Sequence, residues 1–143
     1  MTAPDSARSV AVSSADLARL CELARAARPL EACGLLLGRR NRASLLVRAL
    51  VPLRNAARGA ASFEIGALEQ LACERLALAR DLEVIGTWHS HADAPAAPSV
   101  RDESGAGAYP LALITSADGT TRAWCTREHP WREVALVGLS GNP

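Results

Sequence analysis

The sequence predicts a single mixed α/β domain, and three observations carry that expectation. The 143 residues are an ordinary length for one domain and enough to bury a core without disulfides. Hydrophobic residues make up 49% of the chain and aromatics only 3%, so Leu, Val and Ala must carry the packing. Stretches with apolar residues at three- and four-residue spacing alternate with short extended apolar runs. No repeat, linker or low-complexity segment divides them.

Residues 1–8 read as a flexible N-terminal tail. Ser9 to Val12 suit a short strand. Ser13 or Ser14 then caps a helix that runs to about Arg28, with Leu17, Leu20, Cys21 and Ala24 on one face and Pro29 ending it. The apolar run Cys33 to Leu37 reads as a buried strand, and Ala43 to Leu53 as a second one. Gly38 to Arg42 forms the polar turn of the resulting hairpin. Asn55 to Ala61 is a loop of small residues, followed by a short extended piece, Phe63 to Ile65. A second helix spans Gly66 to Asp81, with Leu68, Leu71, Ala72, Leu76 and Ala79 expected on its buried face.

Glu83 to His89 reads as a central strand, since Val84, Ile85 and Thr87 favour extended structure. Residues 92–98, rich in Pro and Ala, make a stiff loop. Ser99 caps a short helix from Val100 to near Gly105. Three more strands follow, Leu111 to Thr115, Thr121 to Thr126 and Arg132 to Val137, with an Asp118-Gly119 turn between the first two. The domain is thus expected over residues 9–137, with residues 138–143 as a C-terminal tail.

The formal net charge is +1, and every basic residue is arginine. There is no basic excess or stripe of the kind that nucleic-acid binding requires. No run approaches the roughly 20 apolar residues that cross a bilayer, and the N-terminus lacks an apolar signal core. A cytoplasmic protein with no nucleic-acid or membrane partner is expected. Cys21, Cys33, Cys73 and Cys125 form no Cys-x-x-Cys pair; the first three fall in segments that look buried and read as reduced core residues.

The chemistry concentrates in residues 89–102, His-Ser-His-Ala-Asp-Ala-Pro-Ala-Ala-Pro-Ser-Val-Arg-Asp. Side chains alternate across a strand, so His89 and His91 share a side and can reach one ion, while Trp88 faces the other way against a helix. A helix start orients Asp102 toward the same place. Two imidazoles and a carboxylate suit Zn²⁺, and iron or manganese accept the same ligand types. Three protein ligands leave a fourth position for water. Glu31, just before an apolar strand, is the candidate general base, and Ser99 a candidate donor to an oxyanion. Taken singly, each has a plainer reading: Ser99 and Asp102 as cap residues, Glu31 as a surface charge. Asp93 and His129 read as loop residues.

Together these residues resemble the JAMM (MPN-plus) metalloprotease family, whose pattern is a glutamate, then His-x-His, seven residues, Ser, two residues and Asp. Glu31, His89, His91, Ser99 and Asp102 match every interval. The resemblance implies Zn²⁺ on His89, His91 and Asp102, with Glu31 as general acid/base and Ser99 as oxyanion support. It also implies a curved mixed β-sheet packed against two or three helices. Leu35 to Gly38, Val51 to Asn55 and Phe63 to Ile65 look like the small prokaryotic members. Those act on ubiquitin-like or sulfur-carrier proteins ending in Gly-Gly, at a peptide or an isopeptide bond. The family usually has proline where this chain has Ala92, which raises the question of how firmly the following loop is held. A non-catalytic MPN-type scaffold is the first alternative, although such scaffolds generally lose ligands. A zinc hydrolase of small peptides or amides is the second. Nothing in the sequence sets the oligomeric state.

Overall fold

In the computed structural model, which describes residues 6–105 and 109–140, Val10 and Val12 of β1 (Ser9–Ser13) point into the core. Ser13 Oγ then accepts the Asp16 N–H at 3.0 Å and starts α1 (Ser14–Ala27). β2 (Cys33–Asn41) and β3 (Ser44–Leu53) form the expected hairpin, but β2 is longer than expected. Gly38 is not in the turn. It stays in the ladder, where the register between β2 and β3 shifts, and the chain reverses at Arg42, which takes the left-handed conformation (φ 57°). α2 (Ala67–Ala79), β4 (Glu83–Ser90), α3 (Val100–Ser104), β5 (Leu111–Thr115), β6 (Thr121–Cys125) and β7 (Arg132–Leu139) complete the domain.

The sheet is mixed and curls until it closes, in the order β1-β3-β2-β4-β5-β6-β7. β1 makes the closure by pairing in parallel with both β3 and β7. That pairing carries β7 to Leu139, two residues beyond the expected domain end. At the other end Ala7 is buried and its carbonyl accepts from Arg132 Nη2 at 2.6 Å, so the ordered chain begins before residue 9. The rest of the two expected tails, residues 1–5 and 141–143, lies outside the described residues. No helix among the described residues is long and apolar enough to cross a membrane.

Two apolar layers result. One cluster takes Leu20 and Ala24 of α1 together with Val10, Leu36, Ile85, Trp88, Leu111 and Leu113 of the strands. The other sets Cys73 and Ala77 of α2 against Leu35, Leu37 and Val84 on the opposite face of the sheet. Here the expected face of α2 is wrong. Leu68 is 80% exposed, and Leu71 and Leu76 are also exposed, while the small side chains of Cys73 and Ala77 face the sheet. Bulky β2 and β4 residues fill that space, and only a small-residue helix face can lie close over them. Of the cysteines, Cys33, Cys73 and Cys125 are buried and Cys21 is half-buried; all are unpaired.

β4 carries the feature that places the site. Leu36 pairs with Gly86 but Leu37 pairs with Val84, so Ile85 is an extra residue. This bulge moves Ile85 and Trp88 to the α1 side, and leaves Val84, Thr87 and His89 on the α2 side.

Candidate metal centre

His89 ends up on the α2 face of β4, opposite Cys33 of β2, with 1% of its surface exposed. β4 stops at Ser90, so His91 stands just past the strand; its N–H still bonds the Thr115 carbonyl at 2.9 Å, which keeps it in line with β5. Trp88 lies on the reverse face, fully buried in the α1 cluster, and its Nε1–H donates to Thr115 Oγ1 at 2.9 Å. Asp102 arrives from α3. Ser99 Oγ accepts the Asp102 N–H at 3.0 Å and the Ser99 N–H donates to Asp102 Oδ2 at 2.9 Å, a reciprocal capping box. That box aims the carboxylate at the histidines.

Three donor atoms converge. His89 Nε2 and His91 Nε2 are 3.2 Å apart, and Asp102 Oδ2 lies 3.2 Å from the first and 3.1 Å from the second. Tetrahedral coordination with bonds of about 2.0–2.1 Å places ligand atoms roughly 3.3 Å apart, so this triangle fits a small divalent ion. Among the described residues it is the only group of its kind able to hold one. The Pro95 carbonyl, 2.7 Å from His91 Nδ1, can only accept a hydrogen bond. The neutral ring therefore carries its proton on Nδ1 and turns a lone pair on Nε2 toward the centre.

The charges agree with this geometry. Burial alone would raise the Asp102 carboxyl, but the two imidazoles and the Ser99 N–H hold it well below the usual carboxylate range. Burial pushes His89 down, favouring a neutral ring. Burial also opposes the charge on His91, yet Asp102 and the Pro95 carbonyl outweigh it and raise that ring, so protons compete with metal there in acid.

Glu31 sits beside the triangle through Ser90, the middle residue of His-Ser-His. The Ala32 N–H donates to Ser90 Oγ at 2.9 Å, and the Ser90 N–H donates to the Ala32 carbonyl at 3.0 Å. Glu31 is buried, and its Oε1 has no hydrogen-bond partner among the described residues. Burial pushes its carboxyl up to about 7; the Asp102 charge adds to the rise, while His91 and Arg101 oppose it. Burial likewise pushes the neighbouring Cys33 thiol up to about 11, which leaves it an inert neighbour. Ser99 is exposed, and its hydroxyl proton is not used by the cap, in which the oxygen accepts.

A cleft of about 290 Å³ opens beside Asp102, walled by Phe63, Ile65, Thr87, Arg101, Tyr109 and Trp131 among others. The loop after His91 is held in spite of Ala92: Trp124 Nε1–H donates to the Ala96 carbonyl at 3.0 Å, and Ala96 packs with Ile114, Trp124 and Trp131. Asp93 and His129 are both exposed.

Three residues that sequence reasoning passed over belong to this centre. Phe63 stacks on His89, with ring centroids 4.3 Å apart and planes 17° apart. Asn55 bonds the Glu31 carbonyl, and Ser90 clamps Ala32. Only the position of Ser90, alternating with two candidate ligands, carried a local signal; the other two depend on loop closure.

Comparison with known proteins agrees with the motif. Residues 13–127 match the family model of prokaryotic homologs of the JAB domain. A desampylase from Pyrococcus furiosus is 36% identical over 109 residues, covering 75% of this chain and 75% of that protein. A protein from Desulfitobacterium hafniense, solved in solution, superposes with a TM-score of 0.84 at 26% identity, over 92% of this chain and 94% of that one. The fold is shared, with a TM-score of 0.57 at 17% identity and over 94% of this chain and 99% of that one, by a structure described as JAMM, a metalloprotease-like zinc site in the proteasome and signalosome.

Proposed function

The chain belongs to the prokaryotic JAB family, and on that footing we propose that it is a zinc-dependent peptidase. Its substrate is a peptide or isopeptide bond after the C-terminal Gly-Gly of a ubiquitin-like or sulfur-carrier protein. The observation that carries this reading is the triangle of His89, His91 and Asp102 beside a buried carboxylate with an unpartnered oxygen, Glu31. A purely structural zinc site would be closed by a fourth protein ligand. This one has three among the described residues, and Glu31, close enough to feel the charges of His91 and Asp102, is held at a value suited to proton transfer near neutrality.

When bound, zinc supplies Lewis acidity: a more acidic water and a polarised carbonyl. The remaining steps fall to the chain. Glu31, with its carboxyl near 7, takes the proton from the attacking water and hands it to the leaving amine. Ser99 offers its free hydroxyl proton to the developing oxyanion, a bond typically worth about 3 kcal/mol. His91 keeps its tautomer through Pro95, and Asp102 keeps its orientation through the α3 cap.

The cleft supports the choice of a glycine tail in this reading. With the strands closed into a barrel, a substrate strand pairs instead with residues 62–65, which lie outside the sheet. The backbone of Ser62 and Glu64 is engaged by Asn55 and Ala56, while no bond among the described residues occupies the intervening N–H and C=O of Phe63. An extended tail can pair there, and two residues without side chains pass most easily between Phe63 and Tyr109 toward Asp102. The desampylase relative supports a ubiquitin-like substrate.

The test offers zinc-loaded protein a Gly-Gly carrier bearing a short C-terminal extension, the same carrier in isopeptide linkage, and a free dipeptide, with mass spectrometry as readout. Cleavage after Gly-Gly, lost on chelation and restored by zinc, is expected. The variant His89→Ala is expected to lose both metal and activity. Intact carriers together with a hydrolysed dipeptide would replace this reading with that of a small-substrate hydrolase.

A further inference from the structure

A metal-ligating histidine ordinarily donates its outer ring N–H to a fixed acceptor, which sets the ring's orientation. His91 does so through Pro95. His89 does not: its Nδ1 is buried with no hydrogen-bond partner among the described residues, and Glu31 Oε1 is in the same condition. Two of the groups that most need fixed positions therefore lack hydrogen bonds to fix them.

Something else holds both. The side-chain amide of Asn55 uses every position it has. Nδ2 donates to the carbonyls of Glu31 and Ser62, each at 2.9 Å. Oδ1 accepts the N–H of Ala57 at 2.9 Å and of Glu64 at 3.0 Å. Residues 55–64 are closed into a ring around this one amide, further tied by the Ala56 N–H to the Glu64 carbonyl at 2.9 Å. The ring hangs from the backbone of Glu31, and between Ser62 and Glu64 it presents Phe63, which lies nearly flat on His89.

We infer that Asn55 and Phe63 are positioning residues for the metal centre. Phe63 fixes the plane of His89 by stacking, in place of the missing hydrogen bond. Asn55 holds Phe63 and the Glu31 backbone in a single unit, so the ligand ring and the acid keep one spacing. The inference rests on the metal-site reading and on no choice of substrate.

Metal affinity is the discriminating readout, measured by zinc competition with a chromophoric chelator and set beside thermal stability of the metal-free protein. Phe63→Leu keeps an apolar side chain but no flat face, and is expected to weaken zinc binding about ten- to a hundredfold. Phe63→Tyr keeps the stack and is expected to bind as the parent does. Asn55→Asp keeps the two bonds accepted from Ala57 and Glu64 but cannot, when ionised, donate to the Glu31 and Ser62 carbonyls. It is expected to lose kcat about tenfold or more on any cleaved substrate, with a smaller change in KM. Asn55→Ala serves as the control that loses the loop as well. Unchanged zinc affinity in Phe63→Leu, or unchanged kcat in Asn55→Asp, would overturn the inference while leaving the proposed function standing. A parent protein that binds no zinc would overturn both.

Discussion

Replacing Glu31 by glutamine is expected to make the metal-free protein more stable in alkaline solution while removing its activity. Glu31 is 7% exposed, and burial lifts its carboxyl from 4.5 to about 7. The folded value lies above the unfolded one, so folding favours the acid form. Its contribution is complete below pH 4.5 and is lost as the pH rises through 7. A gap of about 2.5 pH units, at about 1.36 kcal/mol each, amounts to about 3 kcal/mol. Glutamine has nearly the same shape and does not ionise, and the oxygen it replaces has no hydrogen bond to lose. Metal-free Glu31→Gln should therefore match the parent at pH 4 and exceed it by up to about 3 kcal/mol at pH 8.5, roughly 10 °C in Tm for a domain of this size. Zinc shrinks the gain, since a nearby cation stabilises the carboxylate. The same variant should keep its zinc and lose about 10²- to 10⁴-fold in turnover. Paired denaturant or thermal melts at the two pH values decide the matter. A difference that is equal at both, or a variant less stable at pH 8.5, would show that burial of this charge is not costly and would refute the reasoning.

The two faces of α2 give a contrast measurable by urea unfolding. Leu68→Ala, at 80% exposure, should change stability by less than about 0.5 kcal/mol. Ala77→Leu, at 1% exposure beneath Leu37 and Val84, should cost about 1–3 kcal/mol. Trp124→Phe leaves the Ala96 carbonyl without its indole donor and should cost about 1 kcal/mol or more. Limited proteolysis should then cut faster within residues 92–98, and an unchanged cleavage rate would mean that the loop is anchored elsewhere.

The triangle of candidate ligands was legible because its logic is local. Strand alternation puts His89 and His91 on one side, and a Ser-x-x-Asp cap orients Asp102, with no knowledge of the fold required. Asn55 and Phe63 were not legible, since their partners Glu31 and His89 lie 24 and 26 positions away along the chain and meet only when the loop closes. The error at α2 came from assuming that the larger apolar residues face inward. The helix instead turns its small residues to the sheet, because Leu35, Leu37 and Val84 already occupy the space between them. Alternation also failed to announce the extra residue at Ile85 or the closure through β1, both of which are set by pairing between distant segments.

The extra residue in β4 is what keeps both halves of the strand facing correctly against β2. Deleting Ile85 would leave every pair with β2, and so both faces, unchanged. But a strand has only two faces, so a straightened strand that kept Ile85, with Val84 in place, would exchange the faces of all residues beyond it. The Trp88 indole would swing into the cleft, and the His89 imidazole would turn toward Leu20 and Leu113. Every side chain of the centre would still be encoded, yet the centre would not assemble. Between α2 and the histidines, then, the residue count and the bulge can change only together.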